Sequence, residues 1–175
     1  MLYKTWQFWL VGLFTGFFGG LLTFLLLFLV NLLVVKEYSY LYLFVYLAPL
    51  FFLWFSCLRL RNNYAQGVLS FGSGFRLSLL TGLILVSVLS LAIYFVYTYL
   101  NNPTLEFRIN RIETDLVSKE AANGLQSINS KRQFLREIMS PAYLAIVHAI
   151  VNLSLLPVYA FLIAIFARRK NRFLD

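Results

Sequence analysis

The side chains that most often carry chemistry are scarce in this sequence, which has one His, one Cys and seven Asp and Glu residues. All seven carboxylates fall between or beyond the long apolar runs of the chain. Membrane enzymes and ion-coupled carriers place such groups inside their spans, and a metal site needs several His, Cys or carboxylate ligands at a suitable spacing. We therefore expect no catalytic residue, no metal site and no cofactor, and we interpret the chain as not an enzyme.

His148 lies within a long apolar run, and Asn152 follows one helical turn later on the same side. Neither side chain would face lipid without a partner. Hydrogen bonds between helices are the favoured interpretation because they are common in membrane proteins; a site for a proton or a ligand is the alternative. Other polar residues that we expect in the spans, as partners or as further members of such a site, are Asn31, Ser90, Tyr94 and Tyr42.

The elements that must position these residues follow from composition. The chain is 61% hydrophobic and 13% charged, against about 45–50% and about 25% in soluble domains. Charged residues leave four gaps of 31, 21, 29 and 30 residues, and about 20 helical residues cross a bilayer. Because the backbone in lipid must satisfy its own hydrogen bonds, we predict an all-α integral membrane four-helix bundle. The single domain 1–175 would have spans at 6–35, 38–58, 75–99 and 142–167.

Basic residues flanking the spans predict the orientation. The side that holds both termini carries eight of them against one acid, Asp175, and the positive-inside rule places that side in the cytoplasm. Besides Lys4, these residues are Arg59, Arg61, Arg76, Arg168, Arg169, Lys170 and Arg172. We expect those seven arginine and lysine side chains to contact anionic lipid. The excess of positive charge is then explained by the membrane, and no nucleic-acid partner is expected.

Small residues at four-residue spacing predict how the helices pack, since such residues let backbones approach closely in lipid. The first span has Gly12, Gly16 and Gly20, and the third has Gly74, Ser78 and Gly82. We favour packing within one chain over homodimerisation. Pro49 and Pro157 fall inside the second and fourth spans, where each removes a backbone hydrogen bond and predicts a kink.

The segment 101–140, between the third and fourth spans, is the only sizeable part outside the predicted membrane region. Apolar residues recur in it at helical spacing, first around Ile109 and Ile112 and again around Phe134, Leu135 and Ile138. We predict an amphipathic helical hairpin whose apolar face rests on the bundle or on the membrane surface. It is also the best candidate surface for a protein partner.

The stretch around the third span resembles a known family. Tyr64-Ala65-Gln66-Gly67, then Ser70 to Arg76, then Asn102-Pro103 and the closing Arg168-Arg169-Lys170 are together similar to the DUF4199 family, from Tyr64 to the end and more loosely before it. The resemblance implies a small four-span protein of the bacterial inner membrane, of a kind frequent in Bacteroidetes. It implies no catalytic residue, because the family has none assigned.

The turn in that stretch has a physical interpretation of its own. Gly67, Gly72 and Gly74 can adopt backbone conformations closed to other residues, so we expect the loop to re-enter the third helix sharply beside Arg76. Glycine-rich turns at helix starts can bind phosphate. With arginines nearby, a lipid headgroup is the anion that we expect at this depth.

These observations favour a non-catalytic multi-pass protein of the bacterial inner membrane that acts as an accessory subunit or scaffold of a larger assembly. Its partners would be membrane lipids and either a membrane protein or a second copy of the chain. The alternative is a small carrier or lipid-handling protein that uses the polar residues around His148 and Asn152. An enzyme acting on a membrane substrate would need titratable groups that converge at one depth, which the sequence does not predict.

Overall fold

The structure is a computed structural model, and it describes residues 4–33, 41–99, 109–114 and 125–168. The described part is helical, with no β-strand. Its helices are α1 (Thr5–Leu33), α2 (Leu41–Asn63), α3 (Phe71–Tyr99), α4 (Leu125–Ile138) and α5 (Pro141–Ala167), and residues 109–114 form one further short helical segment. All but α4 and the short segment are long and apolar enough to cross a membrane. The chain is therefore an all-α multi-pass membrane protein, as predicted.

Two helices extend beyond the predicted spans on the side of the α2–α3 connection. Helix α2 runs to Asn63 rather than ending at 58, and α3 begins at Phe71 rather than at 75. The predicted span stopped where the charges began, but charge marks the edge of the lipid and does not end a helix. Arg61 in the last turn of α2 suits the negative end of the helix dipole. At the start of α3, the Ser70 hydroxyl accepts a hydrogen bond from the Ser73 N–H at 3.3 Å, as an N-cap does.

Helix α3 is the centre of the bundle, because it packs against α1, α2 and α5. Helix α2 also contacts α1 and α5, so the order around the bundle is α1, α2, α5, α3. Buried apolar side chains form two core clusters that each draw on all four spans. One includes Val11, Leu53, Leu77 and Leu156, and the other includes Leu27, Val45, Leu89 and Ala145.

The contact between the parallel helices α1 and α3 is a close approach of two backbones. A Cβ atom placed on Gly16 would lie 2.7 Å from the carbonyl oxygen of Thr81, and one on Gly20 would lie 2.8 Å from that of Leu85. On Gly12, it would lie 2.6 Å from the Leu80 Cδ2 atom. No side chain larger than hydrogen fits at Gly16 or Gly20 without moving α3 away.

Helix α1 also uses Gly19, which the four-residue spacing missed. A Cβ atom there would lie 2.8 Å from the Phe52 Cγ atom of α2 and 3.2 Å from the Leu85 Cδ1 atom of α3. Gly19 and its neighbour Gly20 lie on different sides of the same turn, so α1 packs in the groove between α2 and α3. The three glycines of the predicted stripe account for the contact of α1 with α3 but not for its contact with α2.

The small residues of α3 serve two different neighbours. Gly82 faces Leu156 of α5, whose side chain fills the space that a Cβ atom would need. Ser78 is fully buried, and its Oγ atom lies 3.4 Å from the Cys57 Sγ atom of α2. The spacing that suggested one packing stripe thus combines residues that face α5 with one that contacts α2.

Helices α2 and α5 each continue through an internal proline, Pro49 and Pro157 respectively. A proline lacks the N–H that would donate to the carbonyl four residues earlier, so the Val45 and Leu153 oxygens lose their usual helical partner. The helical backbone spans both positions. A kink at either proline stays a prediction.

Replacing Gly16 by alanine is expected to lower the free energy of unfolding by about 1–3 kcal/mol, the range typical of overpacking. The added methyl group would meet the rigid backbone oxygen of Thr81 rather than a side chain that can turn aside. The matched control is Gly72→Ala, because a Cβ atom at Gly72 meets nothing within 4 Å. That variant should leave stability unchanged or raise it by up to about 1 kcal/mol.

The measurement is the loss of helical circular dichroism as dodecyl sulfate is titrated into the protein in mild detergent. Equal midpoints for the two alanine variants would contradict the backbone contact between α1 and α3.

Candidate functional site

Three groups of residues are candidates for a functional site. The first lies at the end of the bundle that holds the start of α1, the α2–α3 connection and the end of α5. We call this end the terminal side. Helix α2 is followed there by two residues in the left-handed conformation, Gln66 with φ 50° and Gly67 with φ 82°. The Gly67 N–H donates to the Arg61 carbonyl at 2.9 Å, which closes the helix end. Gly72 and Gly74 lie inside α3 instead. The expectation that all three glycines shape the turn is thus wrong for those two.

The residues between these two helices are part of the core. Ala65 and Leu69 are buried, and Leu69 belongs to the core cluster on the terminal side. A short connection that buries its apolar side chains holds α2 and α3 at a fixed spacing. The sequence analysis treated this stretch as a glycine-rich loop and did not predict that Ala65 and Leu69 are buried.

The basic residues of the terminal side have different roles. The Arg61 Nη1 atom donates to the carbonyl oxygen of Ala167 at 3.4 Å, so α2 caps the last turn of α5. Arg76 and Arg168 are exposed, and Arg59 is half-buried. Arg169, Lys170 and Arg172, three of the predicted lipid contacts, lie outside the described residues.

Small neutral polar groups line the buried contact between α2 and α3, and sequence reasoning did not find them. The Cys57 Sγ atom lies 3.4 Å from the Ser78 Oγ atom and donates to the Gly74 carbonyl at 3.5 Å. Ser56 is also fully buried, and its hydroxyl donates to the Leu53 carbonyl at 2.7 Å. These hydrogen bonds satisfy hydroxyl and thiol groups in a medium without water. The two Cys57 contacts join α2 to α3, whereas the Ser56 hydrogen bond lies within α2.

Hydroxyl groups without partners lie elsewhere in the same interior. Thr15, Thr23 and Thr81 are 5%, 1% and 0% exposed, and their Oγ1 atoms have no hydrogen-bond partner. Within the ranges that the structure describes, no three His, Cys, Asp or Glu side chains come together as metal ligands. The fully buried polar side chains among the described residues are all serines and threonines, which carry no charge.

The second group surrounds His148. Gly82 of α3 faces Leu156 of α5, and residue numbers rise in one helix as they fall in the antiparallel neighbour. This register brings Ser90 of α3 level with His148 of α5. Ser90 and His148 nevertheless form no hydrogen bond, since the Ser90 Oγ atom has no partner.

The remaining polar residues of this group do not converge on the imidazole either. The Asn152 Nδ2 atom donates to the His148 carbonyl at 2.8 Å, so this amide is bonded within its own helix. Tyr94 is 39% exposed on the surface of the bundle. The side chains of Asn31 and Tyr42 lie outside the described part of the structure. His148 itself is half-buried at the margin of the face that α5 packs against α3.

The third group is the segment between α3 and α5. The Arg136 Nε atom of α4 lies 2.9 Å from the Glu113 Oε1 atom of the short helical segment 109–114. The hydrogen bond and the charge of Glu113 raise the pKa of the exposed Arg136 guanidinium. Two helical arms are thus joined by an ion pair, in keeping with the predicted hairpin, whose turn lies outside the described residues.

The fold and these groups define the class: a four-span helical membrane protein with a glycine-packed interior and basic residues on its terminal side. The family model for DUF4199, described as a protein of unknown function, matches residues 6–169. The chain belongs to this family. The resemblance seen in the sequence is confirmed, and the match includes the first two spans, where the likeness had looked weaker. Neither a curated protein nor a solved structure matches the chain.

Replacing Arg61 by methionine should lower the free energy of unfolding by about 1 kcal/mol, because the bond to the Ala167 carbonyl is lost. Methionine keeps an apolar stem of similar length, so the change isolates the guanidinium group. The control is Arg76→Met, which removes an exposed arginine of the same side of the bundle. Dodecyl sulfate titration measures both variants, and an equal loss of stability would argue against a specific tether.

Proposed function

We propose that this protein is a non-catalytic accessory subunit or scaffold in a larger assembly of the bacterial inner membrane. The observation that carries the proposal is the position of His148, a hydrogen-bonding side chain at the lipid-facing margin of α5. A helix of another membrane protein would supply the hydrogen-bond partner that no described side chain supplies.

The first support is the packing of the interior. The α1–α3 contact leaves no room for a methyl group at Gly16 or Gly20, and the polar residues between α1, α2 and α3 are 0–5% exposed. A carrier must open a path along its helices by changing how they pack. Backbones in such close contact favour a rigid body instead.

The second support is the imidazole. His148 is half-buried, and no described side chain forms a hydrogen bond with it. An unpaired polar group at the edge of a span is costly in lipid, and hydrogen bonds between membrane helices are worth about 0.6 kcal/mol on average. Helix α5 is also the least enclosed of the four spans. Its margin is the natural place for a further helix.

The orientation of the subunit is part of the proposal. With the terminal side in the cytoplasm, Arg59, Arg76 and Arg168 would lie among anionic headgroups, where each contributes about 1 kcal/mol. Arg61 would contribute less, since its guanidinium already binds the end of α5.

The test is affinity purification from the native membrane in mild detergent, followed by mass spectrometry. We expect a second membrane protein in stoichiometric amount, and His148→Leu should reduce its recovery by about threefold, the loss of one average interhelical hydrogen bond. The control is Val147→Leu, which places the same side chain one residue earlier at a position 38% exposed. It should not reduce recovery.

Recovery of this chain alone as a monomer would contradict the proposal. So would equal recovery of the partner with both leucine variants. If His148→Leu instead abolished uptake of a solute or lipid by vesicles while the protein stayed folded, the carrier interpretation would replace it.

A further inference from the structure

Helix α4 is amphipathic, and its placement follows from three features of its contacts. The first is its isolation from the bundle: among the described helices, α4 packs against α5 near their junction and not along α1, α2 or α3. The sequence left open whether this helix rests on the bundle or on the membrane. A helix lying along the bundle would contact the ends of several spans.

The second feature is the junction itself. Only Met139 and Ser140 separate α4 from α5. The Ser140 side chain accepts a hydrogen bond from the Tyr143 N–H and caps α5, whose first residue is Pro141. Because α5 is a membrane span, the end of α4 is held at the depth where that span begins. Phe134 is then within about 11 Å of the junction, at about 1.5 Å per residue.

The third feature is the exposure of Phe134, while Ile138 on the same side is half-buried. Gln133, Arg136, Glu137 and Ser140 recur at helical spacing on one side of α4 and line an open depression. Arg136 turns toward Glu113 of the short segment, and Phe134 lies about 200° around the helix from Arg136. Phe134 thus faces away from the segment 109–114, and it is 63% exposed.

We propose that α4 is an interfacial helix that lies on the lipid surface at the outer end of α5, with Phe134 and Ile138 inserted among the acyl chains near the headgroups. The polar side of α4, with Gln133 and Glu137, faces the aqueous phase. Lys131 lies one turn before Phe134, where a lysine can reach the lipid phosphates. Basic residues beside an apolar face are typical of helices that bind a membrane in this way.

The test is nitroxide labelling of the full chain in vesicles of phosphatidylcholine and phosphatidylglycerol. The single native cysteine is removed by Cys57→Ala, and one label is attached in each of Phe134→Cys, Ile138→Cys and the control Gln133→Cys. Collision rates with oxygen, which concentrates in lipid, and with a water-soluble nickel chelate are measured by electron paramagnetic resonance. The ratio of oxygen to nickel collisions should be several-fold higher at 134 and 138 than at 133.

Three outcomes would overturn the proposal. High nickel accessibility at 134 equal to that at 133 would place α4 in water. Low accessibility to both reagents at 134 and 138 would place this face against a protein, either a partner or a second copy. A higher ratio at 133 than at 134 would mean that the helix lies the other way up. Positions 133 and 134 are both exposed, so attaching a label at either should leave the fold intact.

Discussion

The close approach of α1 to α3 is the constraint on which the rest of the structure depends. With the Thr81 carbonyl 2.7 Å from where a Gly16 Cβ atom would be, the two backbones lie too close for any side chain at this position. In lipid there is no hydrophobic force between helices, so association depends on van der Waals contact and on hydrogen bonds between them. Glycine allows this contact because it has no Cβ atom to hold the backbones apart. Once α1 is fixed on α3, Gly19 directs it against Phe52 of α2 as well.

This constraint makes α3 the central element of the bundle and determines what the other helices can present. Helix α1 occupies one side of α3, while α5 packs on another side through Gly82 and Leu156. The terminal side is closed further by Arg61 at the end of α5 and by the buried connection through Leu69. With the inner faces packed in this way, His148 stays half-buried at the margin of α5, where the proposed partner helix would bind.

The sequence was sufficient for the fold because the absence of charge over four long runs is a strong physical signal. A charge inside the bilayer is costly at any rotation of the helix, so the runs predict the spans without any knowledge of packing. Helix ends were less predictable. Arg59 and Arg61 ended the predicted span, yet α2 continues to Asn63 because a helix can extend into water.

Individual contacts were predictable only in part, because spacing along one helix does not say which neighbour a residue meets. Gly74, Ser78 and Gly82 share a four-residue spacing, but Ser78 contacts Cys57 of α2. The hydroxyl and thiol groups of Ser56 and Cys57 gave no sign in the sequence, since such residues are apolar enough to pass as part of a span. Their pairing depends on the rotation of α2 against α3, which only the structure supplies.

The choice of these groups for the interior also bears on function. A carboxylate or an ammonium group between the helices would need a counter-charge or water, and it would couple packing to pH. Ser56, Cys57 and Ser78 form hydrogen bonds within the bundle and carry no formal charge, so these groups place no ion pair in the contact of α2 with α3. A protein built to move a solute gains from an interior that a bound ion can rearrange, whereas a protein built to hold a partner gains from one that nothing rearranges. The buried polar side chains of the described residues carry no charge, which is what the proposed accessory or scaffold role would require.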